Sequence, residues 1–369
     1  MARRLRVVVA GGGTAGHIEP ALATADALKE RGAEVIALGT TKGLETTLVP
    51  ARGYELSLID PVPVPRKPNV DLLKLPWRLL RSVRQAMAAL KAHEADVLIG
   101  FGGYVSAPAY LAAKLTRTPF FVHEANARAG MANKLGVALG GKGLLATRAA
   151  GFGLKGEVVG IPLRASLSNA ASPEELAAQK VRASQLWGLD PQRPTILVTG
   201  GSQGAVSINK AVTEAAPDLV KQGFQVLHQV GKKNPLPELS LSGYVPVHYV
   251  EDMAAAYAIT DLVICRSGAM TVAENSARGK VAIYVPLPIG NGEQALNAAE
   301  VVERGGAVLI QDAELSGQLL SSTVAEISEP GRFAQMQHAV SSLHSGNAAQ
   351  TIADLVFETA FRTEDPEEQ

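Results

Sequence analysis

Three glycine-rich segments stand where a chain most easily grips an anion. Gly11, Gly13 and Gly16 are spaced as GxGxxG directly after the apolar run VVVA, and His17 follows the last of them. A second segment, Gly100-Phe-Gly-Gly-Tyr-Val-Ser106, and a third, Gly200-Gly-Ser-Gln-Gly204, each follow another apolar run. Small residues let the backbone approach a phosphate, and a helix that starts after the loop offers N–H groups and the positive end of its dipole. The dinucleotide form of the first segment also needs a carboxylate at the end of the next strand to hold a ribose. That strand ends Ala37-Leu38-Gly39-Thr40, with Glu34 at its opposite end, which argues against a nicotinamide enzyme. One such loop alone could be a ligand-free turn. Three of them suit a donor and an acceptor that both carry pyrophosphate.

These loops need strands behind them and helices in front. Arg6–Ala10, Glu34–Leu38, Asp96–Ile99, Pro119–Val122 and Gly143–Ala146 read as buried strands, with helices over Ala21–Arg31, Leu79–Ala92 and Ala107–Thr116. The pattern restarts near Thr195. Thr195–Thr199, Gln225–Gln229, Pro246–Tyr249, Leu262–Cys265 and Val281–Val285 read as strands; Ile208–Leu219, Met270–Arg278 and Ala295–Arg304 read as helices. Alternating strands and helices imply parallel βαβ units, so the expected fold is α/β with two Rossmann-like domains. Apolar periodicity lapses across Ile161–Ser172, where the crossover is expected.

Bulk properties agree. The 369 residues suffice for two cores, and the 47% hydrophobic and 19% charged content is that of an ordinary α/β protein. Thirty-five cations balance 35 anions, so no global field favours nucleic acid. The single Cys265 excludes an intrachain disulfide and a cysteine-based zinc site. The apolar run at the N-terminus is too short for a signal peptide, and no stretch has the ~18–20 apolar residues of a membrane span. Any membrane contact is therefore expected to be peripheral.

The motifs GGGTAGHIEPALATADAL, GFGGYVSAP, HEANARAGMANK, GIPLR, VTGGSQGA and CRSGAMTVAENSARGKVAIYVPLP followed by EQALNA occur in this order. Together they resemble the MurG family of cell-wall glycosyltransferases. The pairing of GGSQGA with CRSGAMTVAE is the most specific part of the match. The resemblance implies a GT-B fold, two Rossmann-like domains with the site between them. It implies an inverting transfer of N-acetylglucosamine (GlcNAc), without metal or cofactor. The implied donor is UDP-GlcNAc. The implied acceptor is the C4 hydroxyl of MurNAc in undecaprenyl-pyrophosphoryl-MurNAc-pentapeptide (lipid I), and the implied product is lipid II. It further implies a peripheral location on the cytoplasmic face of the bacterial inner membrane, with cell-wall and division proteins as expected partners. Residues 1–163 would form the acceptor- and membrane-facing domain and 164–346 the UDP-GlcNAc domain. A C-terminal helix at about 347–361 would pack back on the first, and 362–369 would be an acidic tail.

Roles follow residue by residue. A neutral imidazole can take a hydroxyl proton near pH 7, and the resemblance puts the base at His17; His17 could equally orient its loop. Glu124 is a second base candidate or an orienting carboxylate. Without a metal, the charge on departing UDP needs N–H donors and a cation. Ser202 and its glycines are the expected cradle, and the Arg164 guanidinium suits phosphate. Ser267–Thr271 would pass near the diphosphate and nucleoside. Donor contacts are expected from Thr14, Ala15, Gly16, Asn126, Ala269, Met270, Thr271, Val272, Ala273 and Gln294. Glu274 would accept from the ribose hydroxyls, and the Val250 backbone would read the uracil edge. Gly13, Gly102, Gly103 and Tyr104 would meet the acceptor pyrophosphate. The chain departs from the family at Ala15 (usually glycine), Ala125 (glutamine in HEQN) and Glu293 (glutamine).

Between Pro63 and His93, seven cations (Arg66, Lys67, Lys74, Arg78, Arg81, Arg84, Lys91) face one acid, Asp71. Leu72, Leu73, Leu75, Trp77 and Leu79 are interleaved with them, a composition that suits an anionic membrane surface. Leu80, Val83, Met87 and Leu90 have the spacing of a core stripe. Three other readings stay open on these residues: a GT-B transferase with a different acceptor, a Rossmann oxidoreductase, and a nucleotide-sugar-binding scaffold without turnover.

Overall fold

The computed structural model describes residues 3–63, 71–151, 153–168, 172–288, 292–343 and 347–362. The chain divides into two units, Met1–Arg164 with Ser345–Gln369, and Ala165–His344.

The first unit holds strands β1 (Arg6–Ala10), β2 (Glu34–Thr40), β3 (Glu55–Ile59), β4 (Val97–Gly100), β5 (Phe120–Glu124), β6 (Lys142–Leu145) and β7 (Glu157–Val158). All pair in parallel, in the order β3-β2-β1-β4-β5-β6-β7. Helices α1 (Ala15–Glu30), α2 (Glu45–Ala51), α3 (Asp71–Ala92), α4 (Ser106–Thr116) and α5 (Met131–Ala138) connect them. Side chains alternate across the pleat. Val7 and Val9 of β1 therefore enter one core with Ile18, Leu22 and Leu28 of α1, while Val8 and Ala10 enter the other with Val83, Leu90 and Tyr110.

The second unit repeats the plan. Strands β8 (Thr195–Thr199), β9 (Gln225–Gln229), β10 (Tyr244–Val247), β11 (Leu262–Cys265), β12 (Val281–Tyr284) and β13 (Ala307–Leu309) pair in parallel in the order β10-β9-β8-β11-β12-β13. Its helices are α6 (Ala165–Ser168), α7 (Pro173–Trp187), α8 (Val206–Lys221), α9 (Met253–Ile259), α10 (Ala269–Ala277), α11 (Glu293–Glu303), α12 (Gly317–Ile327) and α13 (Pro330–Ser341). The last helix, α14 (Ala348–Arg362), belongs to the first unit. Its Ile352, Ala353 and Val356 enter the same core as α1, and Asp354 pairs with Arg31.

Several expectations need correction. Two strands of the first unit, β3 and β7, were not anticipated; β3 is an edge strand whose residues are mostly half-buried or exposed, so it lacks the apolar run that marked the others. The helix expected from Leu79 begins at Asp71 and continues through Pro76. In it Leu79 packs against the core while Leu80 is 42% exposed, the reverse of the expected assignment. Arg164, expected at the start of the second domain, groups with the first unit. Arg66, Lys67, the Leu72 side chain and the tail 363–369 lie outside the described residues. No described helix is long and apolar enough to cross a membrane.

Candidate active site

Each sheet reverses its strand order once, between β1 and β4 in the first unit and between β8 and β11 in the second. Loops at the carboxyl ends of such strand pairs diverge to opposite faces and leave a crevice that takes ligands. The first two glycine loops leave β1 and β4, so topology alone makes them neighbours.

They touch. Gly103 has φ +86°, and a β-carbon on it would lie 2.3 Å from the Gly12 carbonyl oxygen. Gly102 has φ +103°, and a β-carbon there would lie 2.8 Å from His17 Nδ1. His17 thus sits half-buried in the first turn of α1 with its ring on the backbone of the second loop. Ser106 holds that loop: its hydroxyl accepts from the Gly102 N–H at 2.9 Å and donates to the Gly102 carbonyl at 2.8 Å. Gly13, Thr14, Ala15 and Tyr104 are exposed on the same rim, with Gly16 half-buried.

A buried carboxylate that no motif announced pins the first loop. Glu45 accepts from the Gly13 N–H at 2.9 Å, the Thr40 N–H at 2.8 Å and the Thr40 hydroxyl at 2.7 Å. Burial would raise its pKa, but the Thr40 hydroxyl and the Gly13 and Thr40 amides together hold it below the ordinary value. The Gly13 N–H is therefore committed to Glu45, and an anion at this loop has to be met by the amides that follow it.

Glu124 ends β5 and is 3% exposed. One oxygen accepts from the Asn126 N–H at 3.0 Å; the other accepts from the Gly130 N–H and Asn133 Nδ2, both at 2.9 Å. Asn133 also donates to the His123 carbonyl at 3.0 Å and accepts from the Tyr110 hydroxyl at 2.9 Å. Both Glu124 oxygens thus shape the segment that presents Asn126, an orienting task. His123 is fully buried with Nε2 2.9 Å from the Gly160 carbonyl, and burial lowers its pKa, which keeps it neutral. Arg164 forms a bidentate pair with Glu19 of α1, Nε to Oε2 at 2.7 Å and Nη2 to Oε1 at 2.5 Å.

In the second unit the loop after β8 exposes Ser202. Gln229 of β9 braces this loop, its Nε2 donating to Thr199 Oγ1 at 2.9 Å and to the Gly201 carbonyl at 3.1 Å. Gln229 Oε1 accepts from the Val250 N–H at 2.8 Å. That N–H is thus already committed, which limits the expected reading of a base edge at Val250 to the carbonyl. The loop after β11 runs into α10, with Gly268 at its N-cap. Ser267 Oγ is buried there without a partner among the described residues. Buried hydroxyls are nearly always satisfied, and a water or a ligand would satisfy this one. Ala269, Met270, Thr271, Val272, Ala273 and Glu274 form the half-buried first turns of α10, and the Tyr257 hydroxyl lies 3.5 Å from Glu274 Oε2. Gln294, at the start of α11, accepts from the Leu287 N–H at 3.0 Å. Arg266 braces the loop through Asp312, Ser207 and the Val285 and Pro286 carbonyls. Burial pushes the Cys265 thiol up to about 12, so it stays protonated and unreactive.

On α3, Leu73 and Trp77 are 77% and 75% exposed and stand four residues apart, with Leu80 completing one stripe. Leu75 is half-buried. Lys74, Arg78 and Arg84 flank this stripe, and Arg81, next to Leu80, pairs with Asp60 at 2.8 Å.

Residues 7–139 match the N-terminal domain of glycosyltransferase family 28, and residues 195–356 its C-terminal domain. A Corynebacterium glutamicum (strain R) protein is 61% identical over 357 residues, 96% of this chain and 98% of the relative. A Streptomyces coelicolor protein is 47% identical over 361 residues, 96% of this chain and 98% of the relative. Both are named UDP-N-acetylglucosamine--N-acetylmuramyl-(pentapeptide) pyrophosphoryl-undecaprenol N-acetylglucosamine transferase. Among solved structures, Acinetobacter baumannii MurG superposes with a TM-score of 0.74 at 27% identity, covering 96% of this chain and 99% of that one. The calicheamicin glycosyltransferase CalG4 (TM-score 0.69, 17% identity, 99% of this chain and 100% of that one) shares the fold.

Proposed function

Since the chain belongs to glycosyltransferase family 28, in its MurG branch, we propose that it transfers GlcNAc from UDP-GlcNAc to undecaprenyl-pyrophosphoryl-MurNAc-pentapeptide. Its fold is the GT-B glycosyltransferase fold. The observation that carries the chemistry is the seat of His17, on the backbone of Gly102 beside two interlocked glycine loops. The substrates follow from relatives as similar as 61% over nearly the whole chain.

His17 takes the proton from the MurNAc C4 hydroxyl as its oxygen attacks the anomeric carbon of GlcNAc. The bond to the UDP oxygen breaks, and the anomeric configuration inverts to a β-1,4 linkage. The acceptor pyrophosphate meets the loop at Gly102–Tyr104, Thr14–Gly16 contact the donor, and Glu45 keeps the first loop in shape. Glu124 orients Asn126 toward the sugar and leaves proton transfer to His17. In the second unit, the α10 N-terminus with Ser267 and the Ser202 loop offset charge on the departing diphosphate, a charge that the guanidinium of Arg164, a residue of the first unit, also suits. Glu274 receives the ribose hydroxyls, the Val250 carbonyl faces the uracil edge, and Gln294 reads GlcNAc. The Leu73–Trp77–Leu80 stripe rests in an anionic bilayer surface at the cytoplasmic face, where a lipid-anchored acceptor is reached without a membrane span.

Mass spectrometry of a short-chain lipid I analogue incubated with UDP-GlcNAc and a metal chelator tests this reading. The expected product carries one added N-acetylhexosamine. UDP release without that addition would refute the acceptor assignment.

A further inference from the structure

Tyr110 lies on α4 with no exposed surface, and its ring fills a place that two glycines leave open. A β-carbon on Gly100, at the end of β4, would collide with the Tyr110 hydroxyl and Cε1, and one on Gly136 of α5 would lie 2.7 Å from its Cδ2. Neither glycine has a positive φ, so space rather than backbone conformation calls for them. Glycine is a weak helix former, and α5 accepts one at its centre to admit this ring.

Phenylalanine would fill the same space with no polar atom to satisfy. The tyrosine adds one hydroxyl, whose burial is tolerated only because it is bonded. It donates to Asn133 Oδ1 at 2.9 Å. Burial raises the phenol's pKa, against a hydrogen bond from Ser106 one turn earlier on α4, so the group stays a donor at any working pH.

This hydroxyl joins two systems of the first unit. On one side Ser106 grips both polar groups of Gly102, on whose backbone the His17 ring lies. On the other, Asn133 Nδ2 donates to Glu124, which holds the N–H groups of Asn126 and Gly130. Ser106, Tyr110, Asn133 and Glu124 are each at most 3% exposed. An unmatched polar group at such depth is costly, so the two loops settle together.

We propose that Tyr110 is a positioning residue for the transfer: its hydroxyl locks the loop after β4 to the segment after β5 and so fixes the backbone on which His17 is seated. The inference rests on the reading of His17 as the base.

Steady-state transfer to a short-chain lipid I analogue, at a temperature where circular dichroism shows every variant folded, tests it. Tyr110→Phe should lower kcat about 10-fold or more with the KM for UDP-GlcNAc within about 2-fold of wild type, because a displaced base costs rate and not donor binding. Phe120→Leu loosens the same packing, since the Phe120 ring stacks on Tyr110 with centroids 5.7 Å apart, but it leaves the hydrogen bonds in place. It should lower the melting temperature and leave kcat within about 2-fold. In an Asn133→Ala background, Tyr110→Phe should add no more than about 2-fold, because the hydroxyl acts through that amide. Should Asn133→Ala fold poorly, Asn133→Ser enters the same cycle. A kcat for Tyr110→Phe within about 2-fold of wild type, or an equal loss in Phe120→Leu, assigns the residue to packing alone and overturns the proposal. Full multiplication of the two effects in the double variant overturns it as well. If His17→Ala keeps the wild-type kcat, the base reading fails and takes this inference with it. If His17→Ala is inactive while Tyr110→Phe is unaffected, the inference alone fails.

Discussion

Gly103 rests on the carbonyl of Gly12 so closely that any β-carbon would come within 2.3 Å of the oxygen. The loops after β1 and β4 are thus one structure, and the His17 ring lies against the backbone of the second. Substitutions in the two loops should differ accordingly. Gly103→Ala meets both a positive φ and a backbone atom that cannot yield, and should cost about 2–4 kcal/mol of stability with loss of transfer. Gly13→Ala has a φ of +84° but open space around it. It should cost only the left-handed strain, about 1 kcal/mol. Thermal melts of the two variants give the comparison; equal losses would mean that the contact between the loops is unimportant.

Gly102→Ala addresses the base directly, since the new methyl would press on the His17 ring at 2.8 Å. The ring must move, and misplacement of about 1 Å typically costs on the order of 100-fold in rate. The expected outcome is a fall in kcat of that order with UDP-GlcNAc affinity preserved. Loss of donor affinity in step with kcat would show a disturbance wider than the ring.

Glu45 makes stability depend on acid. Its folded pKa lies below the ordinary value of 4.5, so its contribution is complete above that pH and disappears as pH falls through the folded value. Glu45→Gln cannot titrate and leaves one or more of three donors poorly matched, so it should cost about 2–4 kcal/mol at neutral pH. Its stability should also fall less steeply below pH 4.5 than that of the wild type. Denaturant melts from pH 3 to 7 test both statements; parallel curves would remove Glu45 from the explanation.

The exposed stripe on α3 makes a separate prediction. Leu73→Ser with Trp77→Ser removes two apolar side chains that are more than 70% exposed and belong to neither core. Binding to vesicles containing anionic phospholipid should fall about 10-fold or more, while kcat on a detergent-free short-chain acceptor stays within about 2-fold. Undiminished vesicle binding would move the membrane contact elsewhere.

The sequence was most informative where one signal dominates. Thr195–Thr199 and Gln225–Gln229 are buried parallel strands whose apolar runs mark both ends, and the structure places them at those residues. The start of α3 was hidden by Pro76, which the helix accommodates. Leu79 and Leu80 changed roles because both fit a stripe by spacing, and only the packing of the helix decides which one turns inward. Glu45, Ser106 and Gln229 escaped notice because each acts on a backbone group far from the motifs. A buried carboxylate in a short helix behind glycines looks, in sequence, like an ordinary acidic helix start. The committed N–H of Val250 belongs to the same class, since nothing in YVEDM announces a glutamine 21 residues away.

Steady-state transfer of labelled GlcNAc from UDP-GlcNAc to a short-chain lipid I analogue, for wild type, His17→Ala and Glu274→Ala, tests the division of labour most directly. His17→Ala should lower kcat on the order of 100- to 10,000-fold with little change in donor KM. Glu274→Ala should raise the donor KM on the order of 10-fold or more, with the smaller effect on kcat. Equal behaviour of the two variants, or an active His17→Ala, would contradict the assignment of the proton to the first unit and of the nucleotide to the second.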